Sequence, residues 1–235
     1  MLQSLRIEKR YITDKVTATL NVGQYPDGIA VSPDGTKVYV TNGGSDNVSL
    51  IDTETNNVTA TIPVGDGPVR VAVTPDGTKV YVANSGDNTT SVINTSTNTV
   101  TAIIPVGTNP LGIAVSPDGM KVYVVNAYNN TTSVIDTATH TVTATVPVGT
   151  NPFGVAVSPD GTKVYITNRK SNTVSVINSS TNTVTAIIPV GISPLGIATS
   201  PDGKKVYVTN TGSIDSISNG GGTVSVIDIA TNTVT

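Results

Sequence analysis

The chain has 235 residues, a formal net charge of −3 and no cysteine. Its slightly acidic balance offers no basic patch for nucleic acid, and without cysteine it has no disulfide, no thiolate metal site and no cysteine nucleophile. No apolar run is long enough to span a membrane, so we predict neither nucleic-acid binding nor membrane insertion.

Residues 1–14 do not match the pattern of the rest of the chain. Leu5, Ile7 and Tyr11 alternate with charged residues, which is typical of a tail or an edge strand. Basic residues are present without a following apolar stretch, so we expect no signal peptide here. We therefore expect either that the protein is not exported by that route or that the chain is part of a longer one.

From residue 15 to residue 235 one unit is repeated. The phrase Ile-Ala-Val-Ser-Pro-Asp-Gly-Thr-Lys-Val-Tyr-Val-Thr-Asn at 29–42 returns with little change along the chain. Its Pro-Asp-Gly begins at prolines that are 42 residues apart, namely Pro33, Pro75, Pro117, Pro159 and Pro201. A constant period of about 40 residues predicts a repeat architecture, and we assign 15–235 to a single domain.

Each unit predicts four short strands joined by polar turns. In the first copy, the strand at 28–32 ends in Pro-Asp-Gly, which favours a tight hairpin because Pro presets φ and Gly takes a left-handed bulge. Alternating apolar residues then predict strands at 37–42, 48–52 and 58–64. No stretch has the apolar period of a helix, so the fold class is all-β.

The units are expected to stack radially into a β-propeller, because one four-stranded meander cannot bury both of its faces. The last copy stops four residues into its fourth strand, whereas residues 15–22 are a fourth strand without a blade of their own. We predict five four-stranded antiparallel blades and a ring closed by this N-terminal strand, which completes the last blade and removes an exposed edge. The alternative is part of a six- to eight-bladed ring, an open arc with exposed faces. Closure implies a monomer.

One recurring tetrapeptide carries a resemblance to a known family. It reads Tyr-Val-Thr-Asn at 39–42 and 207–210, with close variants beginning at Tyr81, Tyr123 and Tyr165. These motifs resemble the YVTN family of β-propeller repeats, over residues 15–235. Such repeats are similar to those of archaeal surface-layer proteins and of bacterial secreted or periplasmic propellers. The resemblance implies an extracellular or cell-surface location.

Few side chains are left for catalysis once the turns have been assigned. The single histidine, His140, takes a turn position that holds asparagine in the other copies: Asn56, Asn98, Asn182 and Asn232. Both residue types tolerate the left-handed conformation of such turns. A zinc site, a Ser-His triad and a haem ligand pair all lack parts, so we predict no catalytic residue, no metal and no cofactor. The asparagine that ends each second strand is expected to bond local backbone groups. These are Asn42, Asn84, Asn126, Asn168 and Asn210.

Departures from the repeat point to one face of the ring. Propeller geometry predicts that the crossings between blades share a face with the loops between second and third strands. In the crossings, Asp27 replaces an apolar residue and Arg70 replaces a glycine, which brings two opposite charges to neighbouring blades near the channel mouth. They form either a surface salt bridge that contributes little to stability or a polar anchor for a ligand or partner.

The loops on this face supply further candidate partner-binding residues. The aromatic side chains are Tyr25, Tyr128 and Phe153, and the charged ones are Arg169, Lys170 and Asp215. Asp215 belongs to the fifth loop, which is eight residues longer than the others and runs from 211 to 222. Loop growth is often neutral, yet loops on a rigid scaffold are also where recognition occurs.

Two functions are compatible with this pattern. The first is a non-enzymatic propeller scaffold, a cell-surface or secreted module whose loop face binds a protein or a glycan. The second is an extracytoplasmic propeller enzyme, lactonase-like or lyase-like, with a site in the central channel. Asp27 is the one displaced carboxylate in the crossings, which favours the first.

Overall fold

The computed structural model describes residues 15–212 and 222–235. These residues form five four-stranded antiparallel sheets, each built from consecutive strands and here called blades 1 to 5. Among them no helix is long and apolar enough to span a membrane. The all-β fold and the five antiparallel blades are as predicted.

The strands are short and follow the repeat. Blade 1 consists of β1 (Pro26–Val31), β2 (Lys37–Asn42), β3 (Asn47–Asp52) and β4 (Asn57–Pro63), and blade 2 of β5 (Pro68–Val73), β6 (Lys79–Asn84), β7 (Thr89–Asn94) and β8 (Thr99–Pro105). Blade 3 consists of β9 (Pro110–Val115), β10 (Lys121–Asn126), β11 (Thr131–Asp136) and β12 (Thr141–Pro147), and blade 4 of β13 (Pro152–Val157), β14 (Lys163–Asn168), β15 (Thr173–Asn178) and β16 (Thr183–Pro189). Blade 5 consists of β17 (Pro194–Thr199), β18 (Lys205–Asn210), β19 (Thr223–Asp228) and β20 (Thr233–Val234).

The Pro-Asp-Gly hairpin forms as expected. Gly35 takes the left-handed conformation with φ 72°, and its N–H donates to the carbonyl of Ser32 at 2.8 Å. The Asp34 carboxylate accepts hydrogen bonds from the hydroxyl of Ser32 and the backbone N–H of Thr36. These bonds favour the ionised form and lower the pKa of Asp34 to about 2.

The repeated turn aspartates predict a loss of stability in acid. Hydrogen bonds also lower the pKa of Asp76, Asp118, Asp160 and Asp202. A folded-state pKa below the unfolded value of 3.8 stabilises the fold above that value, and this stabilisation is lost as pH falls toward the folded pKa of about 2. We expect the midpoint temperature of thermal unfolding, measured by circular dichroism, to decrease as the pH is lowered from 5 to 2. The variant Asp34→Asn should show a smaller fall, and a constant midpoint would contradict this account.

Apolar clusters between consecutive blades form the core. The tyrosine of each second strand in blades 1 to 4 is fully buried and packs against the next blade. Tyr39, for example, lies in a cluster with Leu50 of its own blade and Val80 and Val82 of blade 2. Second strands are therefore buried on both faces, more deeply than alternation alone predicts, since each blade is covered by two neighbours.

The structure does not show the predicted closure of the ring. Residues 15–22, expected to complete blade 5, form no strand, and the fourth place in that blade is taken by β20. β20 follows β19 after a short turn, so its pairing has a low loop-closure cost, although it joins β19 only at Val234 and Thr233. Residues 15–22 would instead have to reach blade 5 from the start of blade 1. Within the described part of the chain, β17 and β1 lack the close approach that the inner strands of consecutive blades make.

Candidate functional site

The crossings between blades lie beside the loops between second and third strands. The backbone N–H of Gly43 donates to the carbonyl of Tyr25 at 3.0 Å. The carboxylate of Asp46 accepts from the N–H of Gly67, in the next crossing, also at 3.0 Å. We call the surface that these crossings and loops share the loop face.

Asp27 and Arg70 form an ion pair on the loop face. The guanidinium Nη1 of Arg70 donates to Asp27 Oδ1 at 2.8 Å, and both side chains are nearly half exposed. An exposed pair of this kind contributes at most about 1 kcal/mol to stability. The structure thus brings the two residues together across blades 1 and 2 and leaves both accessible to a ligand.

Arg70 takes the place of a structural contact. In blade 1, the N–H of Gly28 donates to Thr41 Oγ1 at 2.8 Å, and that hydroxyl donates to the carbonyl of Val69 in the next blade at 3.0 Å. In blade 2 the glycine position holds Arg70 and the threonine position holds Ala83. Because Ala83 has no hydroxyl, this link between blades is absent here, and Arg70 places a cation beside the inner, channel-side strands of the following blades. Arg70 there lines a depression of about 200 Å³ together with Phe153, Leu195 and their neighbours.

Tyr25 combines an exposed aromatic ring with an unfavourable backbone conformation. Its φ is 51° and its exposed fraction is 80%. The other crossings place residues better suited to positive φ, or smaller, at this position: Gly67, Asn109, Asn151 and Ser193. A left-handed conformation costs a bulky residue about 1 to 2 kcal/mol. Tyr25 was predicted from the sequence as an aromatic contact, whereas its strain is indicated only when the five crossings are aligned with one another.

A groove next to Tyr25 runs between blades 1 and 2. It has a volume of about 490 Å³ and is lined by Tyr25, Asp27, Val69, Ser85 and adjacent prolines and glycines. The ion pair therefore lies between this groove and the channel depression, since Asp27 borders the first and Arg70 the second.

The remaining candidate residues are spread over the loop face. Tyr128 is exposed, and Lys170 is exposed on the next loop. Arg169 is half-buried, and its Nε donates to Ser193 Oγ at 3.2 Å. Phe153 belongs to the channel depression rather than to the Tyr25 groove. Asp215 lies outside the described residues.

His140 lies in a turn of blade 3 and contacts a tyrosine of blade 2. Its φ of 55° confirms the left-handed turn conformation expected for this position. Its Nδ1 lies 3.4 Å from the hydroxyl of Tyr81. Burial and the nearby Lys79 ammonium lower the pKa of His140, and burial raises the pKa of Tyr81 to about 12.

The repeated asparagines are buried and bond locally, but their main partners differ from those expected. Asn126 Nδ2 donates to Thr131 Oγ1 at 3.0 Å and to Ser133 Oγ at 2.9 Å, both side chains of the facing third strand. Backbone bonding is seen at Asn126 Oδ1, which accepts from the N–H of Gly107 at 3.1 Å. Through their side-chain amides these residues tie the second and third strands together. Among the described residues there is no group of three or more His, Cys, Asp or Glu side chains that could hold a metal ion.

The family model described as lactonase, 7-bladed beta-propeller matches residues 29–187, more than half of the chain. The chain belongs to this lactonase propeller family. Hydrazine synthase from Kuenenia stuttgartiensis has a similar structure, with a TM-score of 0.80 and 28% identity over 94% of this chain and 68% of that chain. A functionally unknown protein from Desulfotomaculum acetoxidans has a TM-score of 0.72 and 21% identity over 89% of this chain and 70% of that chain. The search of curated proteins gave no significant match.

Membership in the lactonase propeller family confirms the propeller and assigns no activity to this chain, because function depends on the site and not on the fold. The matches do not distinguish YVTN or surface-layer repeats from other propeller repeats, so that part of the resemblance remains a prediction.

Proposed function

We propose that this chain is a non-enzymatic propeller module that binds a protein or a glycan partner on its loop face, in a secreted or cell-surface setting. The observation that carries the proposal is Tyr25, a strained and exposed aromatic residue beside the Asp27–Arg70 ion pair. Strain retained at an exposed position, where a repeat residue would remove it, motivates a functional hypothesis.

The groove offers a mixed recognition surface. Tyr25 supplies a large aromatic face with little side-chain entropy to lose, a kind of residue that is enriched at interfaces. Asp27 and Arg70 supply an acceptor and a donor that already hold each other in place. A partner with an apolar patch flanked by polar groups, such as a sugar ring or a loop of a protein, fits this combination.

Binding can be tested with variants that restore the repeat. The purified chain would be applied to a glycan array and to a displayed peptide library, and hits measured by calorimetry for the chain, Tyr25→Asn and the double variant Asp27→Val with Arg70→Gly. We expect Tyr25→Asn to raise the free energy of unfolding by about 1 kcal/mol and to weaken binding about tenfold or more.

A matched control lies in the Pro-Asp-Gly hairpin between β9 and β10 of blade 3, away from the loop face. Met120 is exposed and stands where three other copies have threonine, so Met120→Thr should leave binding unchanged. Unaltered binding in both loop-face variants, or no hit in either library, would contradict the proposal.

A second candidate is a lactonase-like enzyme, favoured by the family match and by the channel depression at Arg70. It predicts hydrolysis of a panel of lactones by the chain, a rate that falls in Arg70→Gly, and a melting temperature that rises with calcium, magnesium or manganese if a metal takes part. Absence of hydrolysis for every lactone in the panel would contradict the lactonase-like enzyme and favour the binding module.

A further inference from the structure

The groove beside Tyr25 offers few hydrogen-bonding groups to a ligand. The apolar part of its lining is formed by Pro26, Pro68 and Val69. Much of its backbone is already hydrogen-bonded, since the carbonyl of Tyr25 accepts from the N–H of Gly43. The carbonyl of Gly67 accepts from both the N–H and the hydroxyl of Ser85. An occupant must therefore be mainly apolar where it enters the groove, because a buried polar group without a hydrogen bond is costly.

The ring of Tyr25 rests against a glycine of the neighbouring loop. A Cβ on Gly44 would lie 2.4 Å from Cδ2 of Tyr25, so this position must lack a side chain for the ring to take its place. Two other copies do carry a side chain there, at Tyr128 and Lys170. The loop supports one side of the ring and leaves most of its surface to solvent. The aromatic surface is thus positioned before a partner binds, which reduces the entropy lost on binding.

Four carboxylates lie in or close to the groove. Asp27 is part of its lining. Asp46 Oδ1 accepts at 3.0 Å from the N–H of Gly67, which also lines the groove. Asp66 precedes this glycine, and its own N–H donates to Asp87 Oδ2 at 3.1 Å. All four aspartates are exposed, so negative charge borders the apolar lining.

These four charges are departures from the repeat. At each of the four positions the other copies in blades 1 to 4 have neutral residues. The residues that correspond to Asp46, for example, are Asn88, Asn130 and Asn172. Arg70 balances one of the four charges through its bond to Asp27, which leaves an excess of negative charge. Within the described part of the chain no such group could hold a metal ion, so the excess makes the groove complementary to a basic partner.

We propose that the groove beside Tyr25 binds an extended, basic, proline-containing segment of a partner protein. This inference rests on the proposed function and selects a protein rather than a glycan as the partner. A polyproline II segment presents proline rings to an aromatic groove, and it is already extended before it binds. A lysine or arginine of the same segment pairs with the carboxylates of Asp27 and Asp46. A sugar would bring many hydroxyl groups, for which the groove has few partners.

Labelled peptides of equal length test the chemistry of the occupant. Fluorescence anisotropy would measure the Kd of a peptide with four repeats of Pro-Pro-Arg. One control peptide repeats Pro-Pro-Glu, which reverses the charge, and the other repeats Gly-Ser-Arg, which keeps the charge without the polyproline II conformation. We expect the Pro-Pro-Arg peptide to bind about tenfold or more tightly than either control. The difference from Pro-Pro-Glu should shrink as salt is added, because salt screens exposed charges.

Variants of the chain test where the Pro-Pro-Arg peptide binds. Tyr25→Asn should weaken its binding about tenfold or more. Gly44→Ala should also weaken it, because the new Cβ displaces the ring of Tyr25, and should have no effect when combined with Tyr25→Asn. Asp46→Asn with Asp66→Thr introduces residues of the other copies and should narrow the difference between the Pro-Pro-Arg and Pro-Pro-Glu peptides. Met120→Thr is again the control and should leave binding unchanged.

Failure of this inference is distinguishable from failure of the proposed function. Suppose that the Pro-Pro-Arg peptide does not bind, whereas a glycan or a peptide of other chemistry binds and loses affinity in Tyr25→Asn. The loop-face binding site then stands, and the basic proline-containing segment is overturned as its occupant. Equal binding of the Pro-Pro-Arg and Gly-Ser-Arg peptides, or binding that Tyr25→Asn does not change, would also overturn this inference. If no peptide and no glycan binds, the proposed function is overturned as well.

Discussion

Tyr123→Ala is expected to lower the free energy of unfolding by about 3 to 5 kcal/mol, whereas Tyr207→Ala lowers it by less than about 1 kcal/mol. Tyr123 is fully buried and packs with Val134 of its own blade and Val164 of blade 4. Its removal leaves a large cavity at a junction between two rigid sheets, which cannot collapse to fill it. Tyr207 holds the same repeat position with nearly half of its surface in water.

The pair provides a matched control, because the two substitutions delete the same atoms from the same strand position. Equilibrium urea unfolding followed by circular dichroism would measure both. Similar losses for the two variants would mean that Tyr207 is buried in solution, and the arc would then be closed on itself or covered by another copy. A small loss at Tyr123 would contradict the description of the blade junctions as the core of the fold.

Much of the fold could be predicted because five copies of the repeat carry the same turn residues and the same alternation of apolar residues. Turn chemistry fixes the hairpin at Gly35, and alternation fixes strands such as β2. Closure could not be predicted in this way. It depends on the angle between blades, which is set by side-chain packing at every junction and is not encoded in any one copy. Residues 15–22 have the sequence of a fourth strand, yet that pattern does not say which sheet edge they reach.

The candidate site was predicted in part. Asp27 and Arg70 were found as departures from the repeat, and they form the ion pair expected for their neighbouring positions. The strain at Tyr25 was missed, because positive φ is a property of the crossing's backbone and not of tyrosine. The partners of the repeated asparagines were also mistaken in part. Strand register places Asn126 opposite Thr131. Its side-chain amide therefore bonds to hydroxyl groups of the facing strand, at Thr131 and Ser133, more than to backbone groups.

Gly154→Ala is expected to lower the free energy of unfolding by about 1 to 3 kcal/mol, and Gly196→Ala by clearly less. The new Cβ at position 154 would overlap the backbone carbonyl oxygen of Leu195. Backbone cannot turn aside as a side chain does, so β13 and β17 must move apart. That movement also lengthens the hydrogen bond from Thr167 Oγ1 to the Leu195 carbonyl, now 2.9 Å.

Gly196 is the control for this substitution, because it has the same neighbours within its own blade. A Cβ at position 196 lies 2.9 Å from Thr209 Oγ1, and a threonine side chain can rotate away from such a contact. Thermal and urea unfolding of the two variants would measure the difference. Equal losses for the two variants would indicate that β17 already has a neighbouring inner strand in solution.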